Sequence, residues 1–394
     1  MKILRILILS SSTGGGHDMR ARSLKQWCEK CSPAGSVEIT QHQVLEDSSV
    51  LYRFGVGIYN WIQRHWPLLH HLYFNCLELF HVSASPRFLL GKENYKKLLR
   101  QTQPNIIVSV HAHTNHAFRM IAQETLPGVR FVTYCGEMSG GYGFSRHWAD
   151  PGADAFIGAT PEICQAVIAR KIPAKKVYYK GFLLHPNFYL EGKDYELKSK
   201  ALARNLDLNP GLFTLLLSTG SNGAVNHIAF LKNLERSELK LQVVALCGHN
   251  HTAKSAIEKL SEGFRFLTVC ALGQQDDMRS LMSLSDAVVA RPGTGTTSES
   301  ILAGCPILFN TLGGIMPQEC ITLRYMRARG IKAPLIRRPS ELSTLIRPLV
   351  ESQSNRVRAR QVIDSLRPDD NPSQIVALLK ELALDNIPKE SLNS

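Results

Sequence analysis

Short, nearly continuous apolar runs of strand length recur through the chain and alternate with stretches whose apolar positions fall three and four residues apart. Runs without polar alternation mark strands covered on both faces, so the pattern predicts parallel sheets flanked by helices, an α/β architecture. In the first half the predicted strands are Ile3 to Leu9, Val37 to Val44, Asn105 to Val110, Arg130 to Tyr134, Ala155 to Ile157 and Val177 to Tyr179. The second half repeats the scheme with Thr214 to Leu217, Gln242 to Leu246, Arg265 to Val269, Ala287 to Ala290 and Ile307 to Phe309. Between them Tyr189 to Asn209 is polar and charged and runs into Asn-Pro-Gly, which predicts a helix and turn outside either core. Domains are therefore expected at 1–190 and 191–375. Ile375, Leu378, Leu379 and Leu382 predict a last helix within 376–394, either returning to the first domain or standing alone.

Two strand-to-helix turns are punctuated by glycine: Ser10 to His17, which reads Ser-Ser-Ser-Thr-Gly-Gly-Gly-His, and Arg291-Pro-Gly-Thr-Gly-Thr-Thr-Ser-Glu299. Glycine lets a backbone approach a ligand closely, and the helix that follows offers unpaired N–H groups and a positive dipole end to an anion. Either turn alone fits a plain reversal of the chain; two in one chain favour a pair of nucleotide-type domains. A chain of 394 residues is long enough for two cores.

Charge sharpens the picture. With 46 Lys plus Arg against 33 Asp plus Glu, the net +13 favours an anionic partner such as a phosphate, a nucleic acid or an acidic lipid surface. The nine cysteines are scattered, and the one close pair, Cys28 and Cys31, lacks a second pair to complete a zinc site, so reduced thiols are expected. Lys2 and Arg5 around an apolar start resemble a signal peptide, but the run breaks at Ser10 into glycines without a cleavage pattern and reads as a buried strand. No segment has 18 uninterrupted apolar residues.

Ser-Thr-Gly-Gly-Gly-His (Ser12 to His17), Ile-Ile-Val-Ser-Val-His (Ile106 to His111), Gly-Thr-Thr-Ser-Glu-Ser-Ile-Leu-Ala-Gly-Cys-Pro (Gly295 to Pro306) and Pro-Gln-Glu (Pro317 to Glu319) follow one another in an order that resembles the monogalactosyldiacylglycerol synthase and processive diacylglycerol glycosyltransferase group. These are relatives of the transferase that adds N-acetylglucosamine to the lipid-linked cell-wall precursor. The resemblance implies a GT-B architecture, two Rossmann-like domains facing across a cleft, with the acceptor on the N-terminal side and a nucleotide sugar on the C-terminal side. It implies an inverting transfer of a hexosyl group from a UDP-sugar, UDP-galactose or UDP-glucose, to a lipid such as diacylglycerol. The partners implied are the UDP-sugar, the lipid and an anionic membrane surface, not nucleic acid, for a cytoplasmic protein attached peripherally.

On the donor side, Gly293, Gly295, Thr296 and Thr297 are placed to hold the diphosphate at a helix start, with Ser218, Gly220 and Asn222 as a second phosphate-side loop. By resemblance Glu299 holds the ribose diol, and Gln318 and Glu319 read sugar hydroxyls. A first-turn carboxylate complementing the helix dipole is the plainer reading of Glu299. No Asp stands two residues from another Asp, so the acidic metal clamp of many transferases is missing and neither metal nor cofactor is expected. Arg291, N–H groups and the helix end take over the leaving charge, or Arg291 is a surface cation.

On the acceptor side, His17 is the first candidate base and Gly15 and Gly16 shape its turn. Where the family shows Thr-Asp-Leu, this chain has Gly136-Glu137-Met138, so Glu137 supplies the carboxylate one methylene further out. His147-Trp148 lacks the family's internal Pro, and Trp148 fits either a lipid contact or a buried aromatic. His111, His113 and His116 invite a zinc reading, but no cysteine or carboxylate stands near them, and a loop lining the acceptor site fits better. From Tyr52 to His81, Leu69, Leu72, Tyr73, Cys76, Leu77 and Phe80 keep helical spacing behind Trp61, Ile62 and Trp66, with Arg53 and Arg64 between. An interfacial helix pair and a packed one show the same periodicity. Other lipids as acceptor and a non-catalytic binding protein remain alternatives. A dinucleotide oxidoreductase ranks last, because the third fingerprint glycine is missing after Gly14.

Overall fold

The computed structural model describes residues 3–13, 15–66, 68–79, 85–190, 193–218 and 226–384. They form two compact units, one of residues 1–186 with 316–321 and 368–394, the other of 187–315 with 322–367.

In the first unit six parallel strands, β1 (Leu4–Ser10), β2 (Val37–Gln43), β3 (Ile106–Ser109), β4 (Arg130–Cys135), β5 (Ala155–Gly158) and β6 (Val177–Tyr179), lie in the order β2-β1-β3-β4-β5-β6. The apolar runs become the strand core as expected, Leu7, Leu9, Ile107 and Phe131 packing with Phe118 and Tyr95. Its helices are α1 (Gly16–Lys30), α2 (Val44–Ser48), α3 (Val50–His65), α4 (Leu69–Leu79), α5 (Lys92–Thr102), α6 (Ala117–Thr125) and α7 (Pro161–Ile168).

The second unit opens with α8 (Lys193–Asn205) and holds β7 (Thr214–Leu217), β8 (Leu241–Leu246), β9 (Leu267–Leu272), β10 (Ala287–Ala290), β11 (Ile307–Asn310) and β12 (Leu335–Ile336), in the order β12-β11-β10-β7-β8-β9, again all parallel. Helices α9 (His227–Arg236), α10 (His251–Ser261), α11 (Met278–Leu284), α12 (Thr294–Ala303), α13 (Pro317–Ala328), α14 (Glu341–Glu351) and α15 (Gln353–Asp364) complete the set, with the first turn of α13 counted in the first unit. Contrary to the expectation of a helix outside either core, α8 packs against α11, and Ser199 on it is buried. The last helix, α16 (Ser373–Leu384), belongs to the first unit: it lies against α1, buries Ile375, Val376, Leu378 and Leu379, and its Lys380 ammonium donates to the Cys31 carbonyl at 2.7 Å.

In each sheet the strand order reverses once, between β1 and β3 and between β7 and β10. Helices leave in opposite directions there and open a crevice at the carboxyl ends of the strands, where open α/β sheets bind ligands. Both glycine turns lie at these points, one after β1 and the other after β10. Among the described residues no helix is long and apolar enough to cross a membrane.

Candidate active site

The first turn is organised by carboxylates. Glu46 on α2 accepts from the Ser11 hydroxyl, the Ser12 hydroxyl and the Ser12 N–H at 2.9, 2.8 and 2.6 Å, and Asp18 accepts from Ser10 and Gln43 at 2.9 and 2.6 Å. Gly15, with φ 76°, then starts α1 from a left-handed conformation that L side chains avoid, and Gly16 is the first helical residue. His17 follows and projects toward the end of β3.

The His17 Nδ1 lies 2.8 Å from the Val110 carbonyl oxygen. A carbonyl only accepts, so Nδ1 carries the proton and Nε2 keeps its lone pair. Burial, with the nearby Arg20 charge, lowers its pKa to about 3, so the ring is neutral at ordinary pH. His111 meets it edge to face at 4.4 Å. The His111 Nδ1 accepts from the His113 N–H at 3.2 Å, so Nε2 holds the proton and donates to Thr13 Oγ1 at 3.0 Å. Both nitrogens of His111 are thus committed to protein partners, the opposite of a ligand set open to zinc. Among the described residues no group of three or more histidines, cysteines and carboxylates is arranged to hold a metal.

Beside these rings lies a mostly apolar cavity of about 300 Å³. His17, His111, Glu137 and Trp148 line it together with Leu45, Tyr52, Val56, Tyr59, Tyr73 and Leu77. Trp148 is buried, its ring 6.1 Å from His17. Burial raises the pKa of the Glu137 carboxyl while Arg20 opposes the rise. Sequence reasoning missed several wall residues. His70 is 1 % exposed, sits edge to face on Tyr59 at 4.5 Å, and has no partner on another residue for either ring nitrogen; burial lowers its pKa to about 4. Nothing in its local sequence separates it from the other histidines of 65–71.

Helices α3 and α4 are apolar on two sides. Tyr59, Ile62, His70 and Leu77 turn inward, while Phe54, Trp61, Trp66, Leu69, Leu72 and Leu79 are exposed, Trp61 at 53 % and Trp66 at 61 %. Phe88 and Leu90 extend this exposed set.

In the second unit α12 begins at Thr294 after Gly293, where an added Cβ would meet nothing within 4 Å. Gly295, Thr296 and Thr297 form its first turn; Thr297 is buried. Glu299 is the sixth residue of the helix, which removes the reading of it as a first-turn carboxylate. Arg291 donates to the carbonyls of Leu312 and Gly314 at 2.8 and 2.7 Å and so braces the loop after β11. Ser218 is buried at the end of β7, its N–H on the Val289 carbonyl at 2.8 Å. Gly220 and Asn222 lie outside the described residues. Gln318 and Glu319 lie in the part of α13 that belongs to the first unit, and Gln318 also lines the cavity. The Glu319 carboxylate accepts from the Met316 N–H at 2.8 Å, closing the helix start as a cap, while Gln318 Nε2 donates to the Tyr59 hydroxyl at 3.0 Å.

Residues 214–312 match the glycosyltransferase family 28 C-terminal domain. A processive diacylglycerol beta-glucosyltransferase of Bacillus subtilis (strain 168) is 23% identical, the match covering 98% of this chain and 95% of that protein. Monogalactosyldiacylglycerol synthase 2, chloroplastic, of Arabidopsis thaliana is also 23% identical, over 96% of this chain and 80% of its own. Among solved structures, the Acinetobacter baumannii MurG matches with a TM-score of 0.58 at 14% identity, over 96% of this chain and 99% of its own. CalG4, the calicheamicin glycosyltransferase, matches at 0.60, 14% identity, 98% and 100%. The chain is a glycosyltransferase of GT-B architecture, related over nearly its whole length to the processive diacylglycerol glucosyltransferases and monogalactosyldiacylglycerol synthases.

Proposed function

We propose that the protein transfers a hexosyl group, with inversion, from a UDP-sugar to the free hydroxyl of a diacylglycerol-type lipid at an anionic membrane surface. The observation that carries this reading is the cavity of the first unit: mostly apolar walls and, in the same wall, a neutral imidazole whose tautomer leaves Nε2 basic. A lipid hydroxyl brought there gives its proton to His17 Nε2 as its oxygen bonds the anomeric carbon. The bond from that carbon to the diphosphate breaks, and UDP departs with the electron pair. Glu137 supplies a carboxylate in the wall of the same cavity. The turn at Gly293 to Thr297 receives the diphosphate through N–H groups at the start of α12, Glu299 takes the ribose, and the reaction needs no metal. The names of the lipid-acting relatives and the UDP complexes among the structural neighbours support this assignment.

The test is mass spectrometry of lipids made by purified protein from mixed UDP-sugars and diacylglycerol in anionic vesicles, with and without a chelator. A hexosyl diacylglycerol of inverted anomeric configuration, formed equally with chelator, is expected. Donor binding without any lipid product would reassign the chain to a binding role.

A further inference from the structure

Arg20 is an unexpected residue to find in the interior. It lies on α1 three positions after His17, on the same face of the helix, and is only 4 % exposed. Its Nη2 donates to the Gly136 carbonyl at 2.8 Å. The rest of the side chain crosses Gly136 so closely that a Cβ added there would lie 2.0 Å from Nε, 2.4 Å from Cζ and 2.8 Å from Cδ. Gly136 is thus glycine because an arginine occupies the space a side chain would need. This accounts for a glycine at position 136, where the resemblance leads one to expect Thr.

We propose that Arg20 is a positioning residue for the transfer: threaded over Gly136, it fixes the backbone that carries Glu137 and holds a fixed positive charge within reach of both Glu137 and His17. The charged and titratable groups around this centre include His17 and Arg20 of α1, Tyr59 of α3, Tyr134 and Cys135 of β4, and His111 and His113 after β3. Of these, Arg20 carries the one permanent charge. It favours the carboxylate form of Glu137 and disfavours the protonated form of His17, so both groups are kept in the state that accepts a proton. Burying a guanidinium is costly unless it is hydrogen-bonded and charge-compensated, and the Gly136 carbonyl with the Glu137 carboxylate meets that condition.

The inference rests on the glycolipid-forming activity proposed above, and the test separates the two. Arg20→Met keeps the buried volume and removes the charge; Gly136→Ala leaves the charge but evicts the side chain from its path. With Arg20 gone, Glu137 protonates at higher pH and so does His17, so the acid limb of the kcat profile moves upward in both variants, by about one pH unit. The double variant Arg20→Met with Gly136→Ala should show little beyond the single ones, because the space contested by the new methyl is already vacated. Arg20→Lys should restore part of the wild-type profile. An acid limb at the wild-type position in Arg20→Met and Gly136→Ala, whatever happens to the rate or to stability, would overturn the proposal and reduce Arg20 to packing. Should wild type form no glycolipid at all, the functional reading fails, and titration of Glu137 by carboxyl-labelled NMR in wild type and Gly136→Ala decides the positioning claim by itself: a rise in the variant sustains it, and an unchanged titration refutes it.

Discussion

His17 differs from His111, whose tautomer is also fixed and which lines the same cavity, in that only its Nδ1 is committed to a protein partner while both nitrogens of His111 are. Val110, the residue that follows β3 and still donates its N–H to the Leu9 carbonyl of β1 at 3.0 Å, sets the His17 tautomer, so the base is oriented from the end of the paired strands. Replacing His17 by Ala should cost at least about 100-fold in turnover, as expected for loss of a general base, while UDP affinity by calorimetry stays unchanged. A rate within a few fold of wild type would move the base elsewhere. Glu299 should behave in the opposite manner. If it holds the ribose, Glu299→Ala weakens UDP binding by about 1 to 3 kcal/mol through lost charge-assisted hydrogen bonds, with the unfolding midpoint of the free protein nearly unmoved. Unchanged affinity would take Glu299 out of the donor site.

At the scale of elements, what was legible in the sequence and what was not follow from range. The strands were readable because a parallel strand buried on both faces leaves an unbroken apolar run; β12, two residues at a sheet edge, is too short to leave one. The turns after β1 and β10 were readable because glycine marks them locally. Glu46 and Arg20 were not, since each acts through a partner 34 or 116 positions away in sequence, and for Gln318, singled out in the sequence, the contact with Tyr59 259 positions away was equally out of reach. Helices α3 and α4 left two readings open because the pair is apolar on more than one side: part of it lines the cavity, and another part presents tryptophan, phenylalanine and leucine to solvent. Large exposed aromatic and aliphatic groups beside a mostly apolar cavity suit an interface that the acceptor never fully leaves. The protein should therefore sediment with anionic vesicles, less so at high salt as surface charge is screened. Replacing Trp61, Trp66 and Leu69 by Ser should weaken binding further with unchanged circular dichroism, because these side chains lie outside the core. Equal vesicle binding by the variant would return the exposed face to another purpose.

For the whole molecule, buried imidazoles are divided unevenly between the two units, and acid should expose the imbalance. His17, with its pKa lowered to about 3, His70, to about 4, and His111, held well below the usual 6.5, all lie in the first unit; His227, lowered to about 4, is the counterpart in the second. In each case burial is the leading cause. A histidine whose folded pKa is depressed leaves the unfolded chain binding more protons, so the stability it permits is full above pH 6.5 and is lost as pH falls below it. At pH 5 the loss is about 2 kcal/mol for each such histidine. Glu137 and Asp18, also in the first unit, have raised pKa values and work in the other direction, taking up protons in the folded state first, so two carboxyls offset part of the loss from three imidazoles. The net expectation is that lowering pH from 7.5 to 5 destabilises the first unit more than the second. The four tryptophans, Trp27, Trp61, Trp66 and Trp148, all belong to the first unit, so intrinsic fluorescence follows that unit alone while far-ultraviolet circular dichroism follows both. Thermal unfolding at pH 5 should then show the fluorescence transition several degrees ahead of the last circular dichroism transition, with the gap narrowing at pH 7.5 and in His70→Phe, which removes one of the three protonatable rings. Coincident transitions whose midpoints do not move between the two pH values would mean that these imidazoles reach solvent in the folded protein, and the neutral state assigned to His17 would lose its support with them.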